Sequence, residues 1–276
     1  MKKKIVAVVL CGGMGSRISE ITSKTPKSMI SILGKPIIWY VISLLVKNNI
    51  QQIIFPLGYK GNLIKKFILK NFKKESANFK FVNTGKKTEI NDRIKKISKY
   101  LVEYDDFLLI NSDTILDFNL RSLINFHKKN NFKISLSGVK MKSSWGTIVK
   151  KIDNNYVKKF TINSKIEVYK IKELKNYDSY RNTGISLIST ECLEFINKIS
   201  NHNFELSLYN KFVKNNKVGV KIFDGMWHPI ETLKDLNLIN NDKNLKKKIT
   251  VFKKKNSIII TNNEFKKFRT RKTSRC

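Results

Sequence analysis

Three glycines, Gly12, Gly13 and Gly15, follow directly on an unbroken apolar run, Ile5 to Leu10, and two cations come after them, Arg17 and Lys27. The run is too short for a buried helix and is rich in β-branched residues, so it reads as a central parallel strand covered on both faces. Glycines at its end allow positive φ and a close approach of the backbone to a ligand. Successive N–H groups then point at one anion, and Arg17 and Lys27 add fixed positive charge to that cradle. A second apolar run, Phe107 to Ile110, leads through Asn111-Ser112 to Asp113. A carboxylate exposed at a strand end is the hard oxygen ligand that Mg²⁺ takes when it faces phosphates. A helix cap or turn aspartate is the structural alternative for Asp113.

Familiar phosphate motifs are excluded. No Gly-Lys-Ser/Thr ends the glycine loop, and Ile18 occupies the place of the third glycine in a dinucleotide fingerprint. No Ser/His/Asp or Cys/His constellation stands out. His127 lies among lysines and reads as a surface residue, and His228, between Trp227 and Pro229, reads as packed.

The elements that must hold these residues follow from periodicity. Pro36 to Val46 is apolar at helical spacing behind a proline suited to a first turn. Gln52 to Pro56 reads as a strand, Gly58-Tyr59-Lys60-Gly61 as a turn, and Ile64 to Phe72 as a helix; Phe79 to Val82 is a further strand. Strand, glycine turn and helix in repeated order predict βαβ units and a doubly wound α/β sheet. In such sheets ligands bind at the carboxyl ends of the strands, where both glycine turns fall. Asn119 to Asn130 reads as an amphipathic helix, and Lys133 to Val139 and Val218 to Phe223 as strands.

The 276 residues suffice for one large α/β domain, expected over residues 1–240, followed by a basic extension over 241–276 in which Ile249 to Phe252 and Ser257 to Thr261 read as short strands. The net charge of +34 comes mostly from lysine spread along the chain. No nucleic-acid motif interleaves aromatics with that charge, so a nucleic-acid partner is not expected, although anionic ligands would be attracted. Cys11, Cys192 and Cys276 form no CxxC pair, which points to a reducing compartment and a cytoplasmic protein. Lys2-Lys3-Lys4 precedes an apolar run at the lower edge of a signal-peptide core, and no run reaches the ~18 residues needed to span a bilayer.

Leu10-Cys11-Gly12-Gly13-Met14-Gly15-Ser16-Arg17 and Thr25-Pro26-Lys27-Ser28-Met29 resemble the signature of the sugar-phosphate nucleotidyltransferases, Leu-x-Gly-Gly-x-Gly-Thr-Arg followed by Lys-Pro-Lys-Pro-Met. Ser19-Glu20 and Gly58-Tyr59-Lys60-Gly61 are most similar to the glucose-1-phosphate cytidylyltransferases within that superfamily. The resemblance implies a Rossmann-like, mostly parallel mixed sheet flanked by helices. It also implies that Arg17 holds the triphosphate and Lys27 the phosphate at the reacting phosphorus, with Leu10, Gly12, Gly13 and Gly15 at the nucleotide.

Further motifs carry further roles by the same resemblance. Thr84 and Arg93 match a Thr-Gly…Arg stretch at the nucleotide, with the intervening Thr-Gly-Gly replaced by Ile90-Asn91-Asp92, whose loop shape is expected to persist. Ser112-Asp113-Thr114 stands for Gly-Asp-Gly, with Ser112 at the nucleotide and Asp113 on Mg²⁺. Trp145-Gly146 resembles an aromatic-Gly pair that approaches the sugar, with core packing the alternative for Trp145; Asn182 matches a sugar ligand, Glu205 either a sugar ligand or a capping-region acid, and Glu231 stands where a second metal-binding aspartate belongs. Phe160 to Lys165 departs from the Phe-x-Glu-Lys-Pro pattern: Glu and Lys have become Ile162 and Asn163. Lys165 is then either a substitute contact for the sugar phosphate or an ordinary surface lysine.

The implied reaction is in-line attack of a sugar 1-phosphate oxygen on the α-phosphorus of a nucleoside triphosphate, with Mg²⁺ between them and pyrophosphate leaving. CTP and glucose 1-phosphate lead. Another nucleotide, an unusual phosphorylated acceptor, or a non-catalytic nucleotide-binding relative are the alternatives. Members of the family often form symmetric homo-oligomers, so self-association is a further expectation.

Overall fold

The computed structural model describes residues 4–15, 22, 25–72, 77–140, 147–151, 155–161, 177–200 and 203–256. In chain order these form β1 (Ile5–Leu10), β2 (Ser31–Ile32), β3 (Lys35–Pro36), α1 (Ile37–Lys47), β4 (Gln52–Leu57), α2 (Gly61–Asn71), β5 (Asn78–Asn83), α3 (Ile90–Ile97), β6 (Asp106–Asn111), β7 (Thr114–Leu116), α4 (Leu120–Asn130) and β8 (Ile134–Val139). Then come β9 (Thr147–Lys151), β10 (Val157–Thr161), β11 (Tyr177–Ser189), α5 (Leu193–Lys198), α6 (Phe204–Val213), β12 (Val218–Ile222), β13 (Trp227–Pro229) and α7 (Leu233–Asn241). A last helix, α8, covers 243–256. The architecture is the expected Rossmann-like α/β mixed sheet flanked by helices. Its contacts cluster into two compact units.

The first unit comprises Met1–Leu10, Thr88–Asn111 and Phe118–Gly225. β1 pairs parallel with β6, from Ile5 opposite Asp106 to Leu10 opposite Asn111, so the two strands end level. Val6 to Val9 and Phe107 to Ile110 are buried without exception, which is why both read as continuous apolar runs rather than alternating ones. β11 runs antiparallel to β6, β8 and β9, and β12 is parallel to β8. Its register against β8 shifts between Asn182 and Ser186, and Gly184 at φ +79° sits inside that irregularity.

His127 departs from expectation. It is 2% exposed, with Nδ1 2.8 Å from Ser135 Oγ and Nε2 3.4 Å from Asp106 Oδ1. The lysines beside it in sequence leave on the outer face of α4, whereas His127 shares the buried face with Leu120 and Leu123.

The second unit comprises Cys11–Lys87, Ser112–Asp117 and Met226–Cys276. Every residue of α1 before Lys47 is buried, as an all-round apolar helix requires. β4 and β5 are parallel, and β7 pairs antiparallel with β13. The short strand expected at Ile249 to Phe252 is instead part of α8. Ile249, Phe252 and Asn256 fall at helical spacing and are buried; Phe252 stacks on Tyr40, and Lys253 Nζ donates to the Leu33 carbonyl at 2.7 Å. Residues 257–261 lie outside the described residues. Among the described residues no helix is long and apolar enough to cross a membrane.

Candidate functional site

The glycine loop after β1 belongs to the second unit and is held there by its own hydrogen bonds. Gly15 has φ +68°, and its carbonyl accepts from Thr22 Oγ1 at 3.0 Å. A Cβ at Gly15 would stand 2.9 Å from Thr22 Cγ2, while a Cβ at Gly13 would meet nothing within 4 Å. The first glycine is therefore required by the loop itself, whereas the second leaves open space for a ligand. Gly12 offers its carbonyl to the Tyr59 N–H at 3.1 Å.

Lys27 opens a single 3-10 turn, Lys27–Met29, behind an extended Pro26. The turn is closed by Met29 N–H to the Pro26 carbonyl at 2.8 Å. From there Lys27 Nζ donates to Asp113 Oδ2 at 2.7 Å, and both side chains keep some exposure, 16% and 26%. Thr114 Oγ1 lies 3.4 Å from the other carboxylate oxygen.

Asp113 is tied to the far end of the chain through its backbone. Its carbonyl accepts from Ile230 N–H at 2.8 Å, continuing the ladder that pairs Thr114 with Pro229. Glu231 is the next residue, so both acidic residues stand at the ends of neighbouring strands. The Glu231 N–H is fixed in turn by Asp235 Oδ2 at 2.8 Å, within the capping box that Thr232 and Asp235 build at the start of α7. Two carboxylates plus substrate phosphates is the donor set Mg²⁺ accepts, because the ion keeps waters and needs no all-protein cage. No group of three or more metal-ligating side chains occurs among the described residues.

The other expected nucleotide contacts end β1, follow β5 and β6, and lie on α3. Thr84 is 1% exposed, and its hydroxyl donates to the Leu57 carbonyl at 2.8 Å, bracing the ends of β4 and β5. Ser112 is buried beside Asp113. In the first unit, Leu10 ends β1. The expected loop at Ile90-Asn91-Asp92 is instead the first turn of α3: Asn91 is buried, its carboxamide 3.4 Å from the Ile199 carbonyl. Arg93, 3% exposed, lies on the buried face of the same helix. Asn91, which buries its side chain, and Asp92, which stays exposed, replace the glycines of the motif, and helix follows.

The first unit also brings the expected sugar ligands together. Asn182 Nδ2 lies 3.5 Å from Glu205 Oε2, and Asn182 Oδ1 accepts from Gly184 N–H at 3.1 Å. Glu205 sits in the first turn of α6, capped by Asn203, whose side chain accepts from Leu206 N–H. Arg17, Gly146 and Lys165, with Trp145, lie outside the described residues.

What sequence reasoning missed was partnership rather than location: the Lys27–Asp113 pair, the Ile230 link from Asp113 to the segment that carries Glu231, and Tyr59 at the glycine loop. Only Tyr59 had a signal, its place in a glycine turn after a strand.

The sequence matches the family described as Nucleotidyl transferase over residues 6–245. A probable glucose-1-phosphate cytidylyltransferase of Bacillus subtilis (strain 168) is 28% identical over 253 residues, covering 85% of this chain and 94% of the relative. The glucose-1-phosphate cytidylyltransferase of Salmonella typhi is 25% identical over 83% of this chain and 92% of its own. Among solved structures, a Bacillus anthracis protein assigned as a glucose-1-phosphate thymidylyltransferase superposes with a TM-score of 0.72 at 18% identity, over 86% of this chain and 94% of that one. The last likeness shows the fold.

Proposed function

We propose, from the premise that this chain belongs to the nucleotidyl transferase family, that it transfers a nucleotidyl group to a sugar 1-phosphate with release of pyrophosphate. Within that activity class the leading pair is CTP with glucose 1-phosphate, giving CDP-glucose. Two curated relatives of this chain are named glucose-1-phosphate cytidylyltransferases, and each aligns over more than four fifths of it.

The observation that carries the reading is the Lys27–Asp113 pair at 2.7 Å, set beside the glycine loop in the same unit. Displacement at phosphorus is driven by alignment and charge neutralisation more than by acid–base chemistry. Lys27 supplies a cation for the α-phosphate. Gly12, Gly13 and Gly15 supply a backbone that a phosphate can approach, and Arg17 a second cation for the leaving pyrophosphate. Asp113 and Glu231 would hold Mg²⁺, which when bound neutralises phosphate charge and aligns the reacting groups. Asn182 and Glu205 offer a donor–acceptor pair of the kind that sugar hydroxyls use.

A second reading, transfer of another nucleotide, is favoured by one observation. Where the cytidylyltransferase motif has Thr-Gly-Gly, this chain starts α3 and buries the Asn91 carboxamide. Pyrophosphate release, measured with Mg²⁺ over CTP, UTP, GTP, dTTP and ATP against several sugar 1-phosphates, separates the two. Turnover confined to CTP with glucose 1-phosphate supports the leading pair, and a different productive pair supports the second. Nucleotide binding without turnover on any pair would overturn both in favour of an unusual acceptor or a non-catalytic relative.

A further inference from the structure

Tyr59 is held in an unusual elbow. Lys60, the residue before α2, has φ +49° and ψ +30°, a left-handed conformation disfavoured for a residue with a long side chain. Gly61 N–H closes the turn on the Gly58 carbonyl at 3.1 Å. Strained backbone of this kind persists where the surroundings over-determine it, and it tends to aim a neighbour.

The elbow aims Tyr59 at the glycine loop twice. Its backbone N–H donates to the Gly12 carbonyl at 3.1 Å, and its phenol donates to the Thr22 carbonyl, also at 3.1 Å. Thr22 is 3% exposed and returns its own hydroxyl to Gly15 at 3.0 Å. One residue thus holds Gly12 directly and Gly15 through Thr22. The Tyr59 ring also has two ammonium groups beside it, Lys60 Nζ at 5.2 Å and Lys86 Nζ at 5.5 Å from its centroid, so positive charge accumulates where a triphosphate would lie over the loop.

We propose that Tyr59 is a positioning residue for the nucleotide: it holds Gly12 directly and Gly15 through Thr22, so that the backbone donors of the glycine loop meet the phosphates in one fixed arrangement. This rests on the nucleotidyl-transfer reading for the ligand, but the clamp itself does not. Preorganised donors bind without a reorganisation cost, and loosening them weakens binding of the group they face while leaving other subsites alone.

The test compares wild type with Tyr59→Phe and Tyr59→Leu in the full chain, first by hydrogen exchange without substrate. Tyr59→Phe removes the phenol's bond to Thr22 and keeps the ring. Exchange should rise about tenfold in peptides covering 11–25 and stay unchanged in peptides covering 106–111. The KM for the nucleoside triphosphate should rise roughly fivefold to tenfold, the loss expected for one hydrogen bond, with the KM for the sugar phosphate unchanged. Tyr59→Leu should extend both effects, because the ring beside the lysines is lost as well. Unchanged exchange in 11–25 overturns the clamp, whatever the protein catalyses. Faster exchange with unchanged nucleotide KM and Kd overturns the positioning role. A rise in both KM values together with exchange across the whole chain marks a merely structural residue, and also overturns it. Should wild type bind no nucleotide at all, the functional reading fails while the exchange result still decides the clamp.

Discussion

The ammonium of Lys27 rests on the carboxylate of Asp113 at 2.7 Å, although 86 positions separate them in the chain. Lys27 opens a 3-10 turn behind Pro26 and Asp113 follows the buried strand β6, and each remains partly exposed. A cation bound at Asp113 and a phosphate bound at Lys27 would compete with this pair from its two sides. In the pair itself each group offsets the charge of the other.

The first prediction concerns that pair. Lys27→Ala and Asp113→Ala should each lower the rate of pyrophosphate release by ~10²–10³. The pair is only partly exposed, so loss of stability should be about 1–3 kcal/mol. Rate assays alongside thermal melts check both statements. Near-normal turnover in either variant would remove that residue from the mechanism.

The two loop glycines should separate fold from binding. Gly15→Ala meets Thr22 Cγ2 at 2.9 Å and keeps φ +68°, so it should cost roughly 1–2 kcal/mol and loosen the loop. Gly13→Ala meets nothing within 4 Å and should melt like wild type, yet bind nucleotide more weakly because its methyl enters the ligand's space. Calorimetric titration with nucleotide, read against melting temperature, distinguishes the two outcomes. Equal behaviour of both variants would contradict the assignment of open space above Gly13.

These residues were legible from sequence because continuous apolar runs fixed β1 and β6, and whatever follows such a run must emerge at a strand end. The rest depended on long-range pairing. Nothing local indicates that Ile230 N–H reaches Asp113. At Ile90-Asn91-Asp92 the motif alignment suggested a loop, while the local pattern Asn91, Ile94, Ile97 already had helical spacing. The same oversight applied to Ile249 and Phe252, read as a strand from a short apolar run although Asn256 continues their helical period. His127 was judged by its sequence neighbours Lys128 and Lys129 instead of by its helix face.

Gly184 offers a test of the acceptor side. Its φ is +79°, and a Cβ there would fall 2.6 Å from Asn111 Nδ2, so Gly184→Ala must displace Asn111 or the irregularity in β11 that carries Asn182. The expected result is a raised KM for the sugar phosphate, about tenfold or more, with nucleotide Kd little changed. Steady-state kinetics with each substrate varied in turn would show it, and an effect on the nucleotide alone would count against Asn182 as an acceptor ligand.

His228 should give the fold a pH dependence. Burial lowers its pKa from 6.5, against smaller opposing contributions from Asp235 and Asp242. The folded state thus binds its proton less readily than the unfolded chain. Stability from this residue is fully present above about pH 6.5 and is lost as the pH falls from there toward the depressed folded value. Melting curves at pH 7.5 and 5.5 should show a drop that shrinks in His228→Gln; an equal drop in the variant would assign the dependence to other groups.

The last prediction concerns Asp106, His127 and Ser135, a chain of polar side chains with the layout of a nucleophilic triad but none of its access. Asp106 and Ser135 are 0% exposed and His127 2%, so no substrate reaches the hydroxyl and the group serves the fold. Removing the imidazole breaks its hydrogen bond with Ser135 and opens a cavity among buried side chains, which together cost about 3–5 kcal/mol. His127→Ala should therefore lower the melting temperature by roughly 6–15 °C, while a double variant, Asp106→Asn with His127→Ala, should lose less than the sum of the single changes. Cys192 supplies an independent readout. Burial pushes its thiol up to about 12, so at pH 8 it should resist alkylation in wild type. In His127→Ala the same thiol should become labelled as the unit opens, scored on the Cys192 peptide by mass. Labelling that stays absent while the melting temperature falls would place the lost stability elsewhere in the unit.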